Sequence, residues 1–197
     1  MEFRQPVEPA YLKEVLSDEH IATVSKMPYI WTSVDTRNAL IASLVPAGLG
    51  VASVLSARPH HRYFRFLESS SKPRWADFAP AGYAAMDLLS LSPLGFASYL
   101  VYKNGGGFDY TDTTVALGLY GANLLFAGAT VPLLEKRNYK CLAINTGLIF
   151  GTALATVVAF YKIDERAGWL VAPYAAWTGF YAFLTYKLYK MNDYKNY

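Results

Sequence analysis

The sequence predicts an all-α membrane protein with five transmembrane helices. The first observation is a set of five long runs that lack charge, apart from Asp87 in the second; they span residues 38–57, 78–102, 113–134, 141–161 and 167–186. A helix needs roughly 20 mainly apolar residues to cross a hydrocarbon core of about 30 Å, and each run reaches that length. Because lipid offers backbone amides no hydrogen-bond partner, each run should be helical.

The second and third observations are the positions of the charged and the aromatic residues. Charged residues make up 17% of the chain and fall almost entirely between the runs, while 53% of all residues are hydrophobic. Aromatic residues that prefer the headgroup depth gather at run ends, for example Trp75, Tyr102, Phe108, Tyr161 and Tyr186. The alternative is a soluble bundle with buried helices, but the runs carry no charged stripe to face water.

The first 37 residues differ from the rest and form a predicted extramembrane arm. Pro6, Pro9 and Pro28 interrupt the arm, which is acidic, and apolar residues recur in it at helical spacing: Tyr11, Leu12, Val15, Leu16, Ile21 and Val24. The arm lacks the basic start of a signal peptide and the Arg-rich composition of a transit peptide. We expect it to lie on a partner or on the membrane surface; a solvated tail is the alternative.

The five-helix domain is predicted over residues 38–192, with a short tail over 193–197, and its loops indicate an orientation. Five crossings place the arm and two connections on one side with 7 Lys and Arg residues, and the C-terminus with the other two connections on the opposite side with 11. Cytoplasmic loops carry an excess of Lys and Arg, so the C-terminus is predicted on the cytoplasmic or matrix face. The net charge of +3 gives no indication of a nucleic-acid partner.

Short motifs follow one another in a fixed order from about Arg62 to Asn192. They are Lys72-Pro73-Arg74-Trp75, Ser98-Tyr99-Leu100-Val101-Tyr102-Lys103, Leu117-Gly118-Leu119-Tyr120 with Pro132, Ala155-Thr156-Val157-Val158-Ala159-Phe160-Tyr161, and Pro173-Tyr174-Ala175-Ala176-Trp177. In order and spacing they resemble the TspO/MBR family, the translocator proteins. The resemblance implies a five-helix bundle with a ligand pocket opening toward the first loop. It also implies binding of sterols, porphyrins or related hydrophobic ligands, and often dimerisation.

The chain departs from the family pattern at positions that face the pocket. A Trp-x-x-Leu-Tyr pattern of the second helix is replaced by residues 87–91 (DLLSL), and an Asn-Trp-Ala-Trp-Pro pattern of the third by residues 127–131 (AGATV). Cys141 aligns with a Trp, Asn145 with an Asp and Tyr181 with a small residue. Fewer indole rings and a new Tyr remove the stacking platforms for a flat ligand, so we predict an eroded pocket.

Ten residues are candidates for contact with a ligand or lipid: Trp75, Asp87, Asn123, Asn145, Leu148, Trp177, Tyr181, Leu184, Tyr186 and Lys190. Asp87 is the most informative, because a carboxylate in a transmembrane run costs roughly 2.5–3.5 kcal/mol and normally faces a cavity or partner. The alternative for Asp87 is a position near a helix end, or a protonated carboxyl bonded to backbone. Residues 184–190 match a weak pattern proposed for cholesterol contact, although aromatic and basic residues at a helix end are expected anyway.

Small residues on three runs allow another helix to approach closely: Gly48 with Ala52, Gly118 with Ala122, and Gly147 with Gly151. Packing within the chain is the preferred interpretation of these pairs over dimerisation. Residues 104–107 (NGGG) follow a helix, not a strand, and so predict a helix stop and turn.

Two functions remain, and neither is enzymatic, since no nucleophile or metal-ligand motif is present. The first is a structural accessory subunit of a larger membrane assembly, which we expect to be mitochondrial. It would contact lipids and other subunits through the arm and transmembrane faces. The second is a translocator that binds or moves sterol or porphyrin. Neither requires a cofactor, although a bound lipid or sterol is compatible with both.

Overall fold

A computed structural model describes residues 31–58, 65, 73–136 and 138–193. Most of the predicted arm, residues 1–30, and the end of the tail, residues 194–197, lie outside these described residues. The predictions made for those two segments therefore stay predictions.

The described residues form helices and no strand. The helices are α1 (Ser33–Ser56), α2 (Pro80–Leu91), α3 (Leu94–Asn104), α4 (Thr111–Glu135), α5 (Tyr139–Ile163) and α6 (Glu165–Asp193), with short 3-10 helices at Arg74–Ala76 and Gly107–Asp109. Each uncharged run corresponds to one helix, except that α2 and α3 share the second run. The predicted all-α fold is confirmed.

Helix α1 begins at Ser33, inside the segment predicted as the arm. The Thr32 hydroxyl donates to the Asp35 carboxylate at 2.6 Å, the Thr32 amide donates to it at 2.7 Å, and the Asp35 amide donates to the Thr32 hydroxyl at 3.3 Å. These reciprocal bonds satisfy amides that a helix start leaves without partners. A polar cap, and not the first apolar residue, therefore sets the start of α1.

The second run is broken at Ser92 and Pro93, between α2 and α3. Pro93 has no amide hydrogen to donate and therefore interrupts the helical hydrogen-bond ladder. Helical backbone hydrogen bonds are present on both sides of the break. The Ser92 amide donates to the Leu88 carbonyl and the Ala97 amide donates to the Pro93 carbonyl, both at 3.0 Å. The two helices together still form one apolar segment of 25 residues, Pro80–Asn104.

Four of the five helical segments are long and apolar enough to cross a membrane: Ser33–Ser56, Pro80–Asn104, Thr111–Leu134 and Tyr139–Ile163. Helix α6 is long enough to cross a membrane, with 29 residues and a length of roughly 43 Å, but it is less apolar than these four segments. Its Trp and Tyr side chains combine an apolar ring with a polar group, which lowers its average hydropathy.

The core lies where α3, α4, α5 and α6 meet. Fully buried side chains in it include Leu94, Val101, Ala153, Phe160 and Val171. A second apolar cluster, near the C-terminal end of α6, joins the turn before α2 to α5 and α6; it contains Ala76, Tyr83, Leu142, Leu184 and Leu188. The bundle is therefore centred on α6, which contributes to both clusters.

Helix α1 approaches its neighbours through small residues. A Cβ atom added to Gly95 of α3 would lie 2.2 Å from Ser43 Cα, and one added to Gly50 of α1 would lie 2.9 Å from a Leu88 methyl group. The glycines at these two contacts let the backbones of α1 and the α2–α3 segment pack closely.

The small-residue pairs expected to pack within the chain do not do so. A Cβ atom added to Gly48, Gly118, Gly147 or Gly151 would have no atom of a described residue within 4 Å. That expectation was wrong because the pattern marks only a smooth helix face, and it does not say which face turns inward. The predicted stop after α3 is confirmed, since Gly106 and Gly107 both adopt φ of 78°.

Candidate ligand site

Asp87 connects three helices inside the bundle. Its carboxylate accepts a hydrogen bond from the Trp177 indole Nε1 of α6 at 2.7 Å and another from the Ser53 hydroxyl of α1. Asp87 thus lies within a membrane-crossing segment and bonds to side chains of neighbouring helices, not to backbone at a helix end.

Aromatic rings pack around this carboxylate. Trp177 stacks on Phe180 with ring centroids 4.9 Å apart and planes 10° from parallel. Tyr181 contacts Trp177 edge to face at 5.0 Å and stacks on Tyr83 at 6.1 Å. We call Tyr83, Trp177, Phe180 and Tyr181 the aromatic cluster. Its rings pack against one another beside Asp87.

The turn before α2 packs against the aromatic cluster. The Tyr83 hydroxyl donates to the Ala76 carbonyl at 2.6 Å, which holds the Arg74–Ala76 turn against α2. Trp75 in that turn contacts Phe180 edge to face at 5.9 Å and stacks on Phe183 at 5.4 Å. Trp75 is 45% exposed and therefore lies at the rim of the cluster, not inside it.

Asn123 and Asn145 belong to separate polar contacts between helices. Asn123 Nδ2 donates to the Ile149 carbonyl and to the Thr152 hydroxyl, both at 2.8 Å, and its Oδ1 accepts from the buried Tyr174 hydroxyl at 2.7 Å. These bonds join α4, α5 and α6. They engage both the amide nitrogen and the amide oxygen of Asn123.

Asn145 makes a similar contact nearer the C-terminal end of α4. Its Nδ2 donates to the Phe126 carbonyl and to the Thr130 hydroxyl, each at 3.0 Å. A buried polar group in lipid is stabilised when such partners are present. The geometry gives both asparagines a role in helix packing.

The ten candidate residues therefore separate into groups. Asp87, Trp177 and Tyr181 lie together, Trp75 lies at their rim, and buried Leu184 packs in the same apolar cluster as Tyr83. Leu148 and Tyr186 are 48% and 46% exposed on the outer surface, and Lys190 lies over the Tyr186 ring.

Sequence reasoning missed Ser53, Tyr83 and Phe180. Ser53 lies in an uncharged run with nothing to distinguish it from its neighbours. Tyr83 precedes Asp87 by four residues, and Trp177 precedes Tyr181 by four, so helical spacing could have indicated a shared face for each pair. Which two faces meet depends on tertiary packing.

The described residues contain no group of three His, Cys, Asp or Glu side chains that could hold a metal ion. Cys141 is exposed at the start of α5, where its amide donates to the capping Asn138 side chain at 3.0 Å. The chemistry available at the site is hydrogen bonding to a carboxylate and contact with aromatic rings.

Comparison with known proteins decides the family. A family model for TspO/MBR matches residues 40–190, which is most of the chain and extends from α1 into α6. The chain belongs to the TspO/MBR family. The resemblance predicted from about Arg62 onward is confirmed, and it extends further toward the N-terminus, into α1.

Individual relatives agree with the family match. The chain is 34% identical over 132 residues to the translocator protein of Ovis aries, covering 66% of this chain and 76% of that one. It is 36% identical over 102 residues to the translocator protein of Homo sapiens, covering 51% and 60%. It is 28% identical over 159 residues to translocator protein 2 of Canis lupus familiaris, covering 78% and 88%. This TspO/MBR protein is therefore an integral membrane protein.

Proposed function

We propose that this TspO/MBR protein is a structural accessory subunit of a larger membrane assembly, in which the ligand site of the fold is closed by the protein's own side chains. The observation that carries the proposal is the Asp87 carboxylate, bonded to Ser53 and Trp177 beside the aromatic cluster. A site arranged in this way links helices.

The energetics favour the closed arrangement. A carboxylate within the membrane costs roughly 2.5–3.5 kcal/mol. Hydrogen bonds to a charged group contribute about 1.5–3 kcal/mol each, so the Ser53 and Trp177 bonds offset that cost. A ligand that displaced Trp177 would have to replace its bond to Asp87 and also its stacking on Phe180.

The position of Tyr181 supports the same proposal. The family pattern places a small residue there, and here a phenol ring lies between Tyr83 and Trp177. The ring occupies volume that a flat hydrophobic ligand would need. This position of the Tyr181 ring supports the proposal that the pocket is eroded.

The assembly and its location are supported by sequence and family. The arm carries apolar residues at helical spacing together with six acidic residues in the first 35, a composition suited to lying on a neighbour. A mitochondrial membrane is the location we propose, with the C-terminus on the matrix or cytoplasmic face. The proposal includes no catalytic step and no cofactor.

Blue-native electrophoresis of membranes solubilised in mild detergent tests the proposal. Antibody detection should place the full chain in a band far larger than a monomer or dimer of a 21.9-kDa protein. Purification of that band should recover other subunits in fixed ratio. Migration only as monomer or dimer would overturn the assembly role.

A translocator that binds sterol or porphyrin is the second candidate, and the family match over residues 40–190 favours it. Titration of the purified chain with a porphyrin, followed by tryptophan quenching, separates the two candidates. Saturable binding at micromolar or tighter affinity would favour the translocator. The closed site predicts weak binding or none.

A further inference from the structure

One end of the bundle carries an unequal share of the positive charge. The topology predicted from the sequence assigns the 58–77 and 135–140 connections and residues from 187 onward to the same end. By sequence they contain 11 Lys and Arg but 4 Asp and Glu, whereas Arg37 and the two connections at the opposite end contain 4 of each kind. The asymmetry gives the C-terminal end a strongly positive field.

The last turns of α6 present part of this charge on one exposed helical face. Phe183, Tyr186, Lys187 and Lys190 follow one another at spacings of three, one and three residues, and all four are exposed. Such spacing places them along one side of a helix. The two rings come first and the two ammonium groups come nearer the end of the helix, as expected across a boundary from hydrocarbon to headgroups.

Rings and cations on this face contact each other. Lys187 Nζ lies 5.5 Å from the Phe183 ring centroid, and Lys190 Nζ lies 5.1 Å from the Tyr186 centroid. Trp75 stacks on Phe183 and is 45% exposed, and Arg74 precedes it in the same turn. We call Arg74, Trp75, Phe183, Tyr186, Lys187 and Lys190 the basic–aromatic face.

We propose that the basic–aromatic face is a binding site for an anionic phospholipid of the leaflet at the C-terminal end. Lys187 and Lys190 would bind the phosphate, and the exposed Trp75, Phe183 and Tyr186 rings would lie along the glycerol and upper acyl chains. A Lys or Arg near an anionic leaflet contributes about 1 kcal/mol, or about fivefold in affinity. A neutral sterol lacks the phosphate that these lysines would recognise.

This proposal is independent of the assembly role, because the site lies within a single chain. The full-length protein in detergent can be titrated with phosphatidylglycerol or with phosphatidylcholine of identical acyl chains, and bound lipid counted by native mass spectrometry. The wild type should prefer phosphatidylglycerol, and the preference should weaken as salt is raised.

The decisive variant is Lys187→Gln with Lys190→Gln. It should lower phosphatidylglycerol affinity by about 25-fold, at about fivefold per lysine, and leave phosphatidylcholine affinity unchanged. Lys103→Gln with Lys162→Gln is the matched control, since it removes the same charge from the opposite end and should have little effect. Lys187→Arg with Lys190→Arg should retain binding, which separates lost recognition from misfolding.

Three outcomes would overturn the proposal. Equal losses in the two glutamine variants would show that only net charge matters, and no loss in the Lys187 and Lys190 variant would show that the face does not bind phosphate. A parallel titration with cholesterol gives the third. If Lys187→Gln with Lys190→Gln reduced cholesterol binding as strongly as phosphatidylglycerol binding, the site would bind lipids regardless of their charge.

Discussion

Asp87 is the residue at which α1, α2 and α6 meet, through its bonds to Ser53 and Trp177. Replacing Asp87 with Ala should destabilise the bundle, because the Trp177 indole and the Ser53 hydroxyl would lose their acceptor. A buried donor left without a partner costs about 1–3 kcal/mol, and these half-buried donors should cost about the lower figure each. The change should appear as a lower midpoint of thermal unfolding in detergent, followed by circular dichroism.

The matched control for this variant is Asp109→Ala. Asp109 is an exposed carboxylate in the short turn before α4, and its replacement should move the unfolding midpoint very little. An Asp87→Ala protein as stable as Asp109→Ala would show that the three-helix connection contributes nothing to stability. Asp87→Leu extends the test, since a similar-sized apolar side chain separates lost bonding from lost volume.

At the scale of elements, Gly95 of α3 controls how closely α1 can approach. A Val side chain at this position would place its Cβ 2.2 Å from Ser43 Cα, so one backbone would have to move. Overpacking of this kind typically costs about 1–3 kcal/mol. Gly95→Val should therefore lower thermal stability and expose α1 to limited proteolysis.

Gly118→Ala in α4 is the control for Gly95, and it should change stability in the opposite direction. A Cβ atom at Gly118 meets nothing within 4 Å, and Ala in a helix is favoured over Gly by roughly 0.5–1 kcal/mol. Similar stability changes in the two variants would contradict the close approach of α1 and α3.

At the scale of the whole molecule, the proposed closure of the ligand site predicts a gain of function. Replacing Tyr181 with Ala should open space between Tyr83 and Trp177 and allow measurable porphyrin binding where the wild type shows little. Tryptophan quenching reports the binding, and Tyr110→Ala, on the exposed side before α4, serves as control. Equal affinity of wild type and Tyr181→Ala would contradict closure by this ring.

The arm predicts a second whole-molecule result. Deletion of residues 1–30 spares the Thr32 and Asp35 cap of α1, so the helices should still form and circular dichroism should show unchanged helicity. Association with the assembly should fall, because an apolar side chain that becomes fully buried contributes roughly 1.5–3 kcal/mol. Unchanged co-migration on a blue-native gel would make the arm a solvated tail.

The sequence by itself determined the helical segments and their approximate positions, because length and lack of charge are local properties. It predicted five crossings, and four of the segments are long and apolar enough to cross a membrane. It also identified Asp87 and Tyr181 as unusual. A carboxylate within an apolar run is visible without a structure, and so is a large residue where the family pattern has a small one. The break at Pro93 was not predicted, because a proline alone does not mark a break: Pro46, Pro132 and Pro173 lie inside continuous helices. The start of α1 at Ser33 was not predicted, because it depends on the hydrogen bonds between Thr32 and Asp35.

The tertiary structure alone decided which helix faces meet. Gly147 and Gly151 looked suited to packing within the chain but lie on an open surface, whereas Gly95 and Gly50 make the close contacts. The bond from Ser53 to Asp87 could be recognised only in the folded structure, because the sequence does not indicate which residue a serine in an apolar run will contact. Periodicity specifies a helix and its faces, but rotation about the helix axis is fixed by side chains distant in sequence, and so the Asp87 contacts could be seen only in the folded bundle.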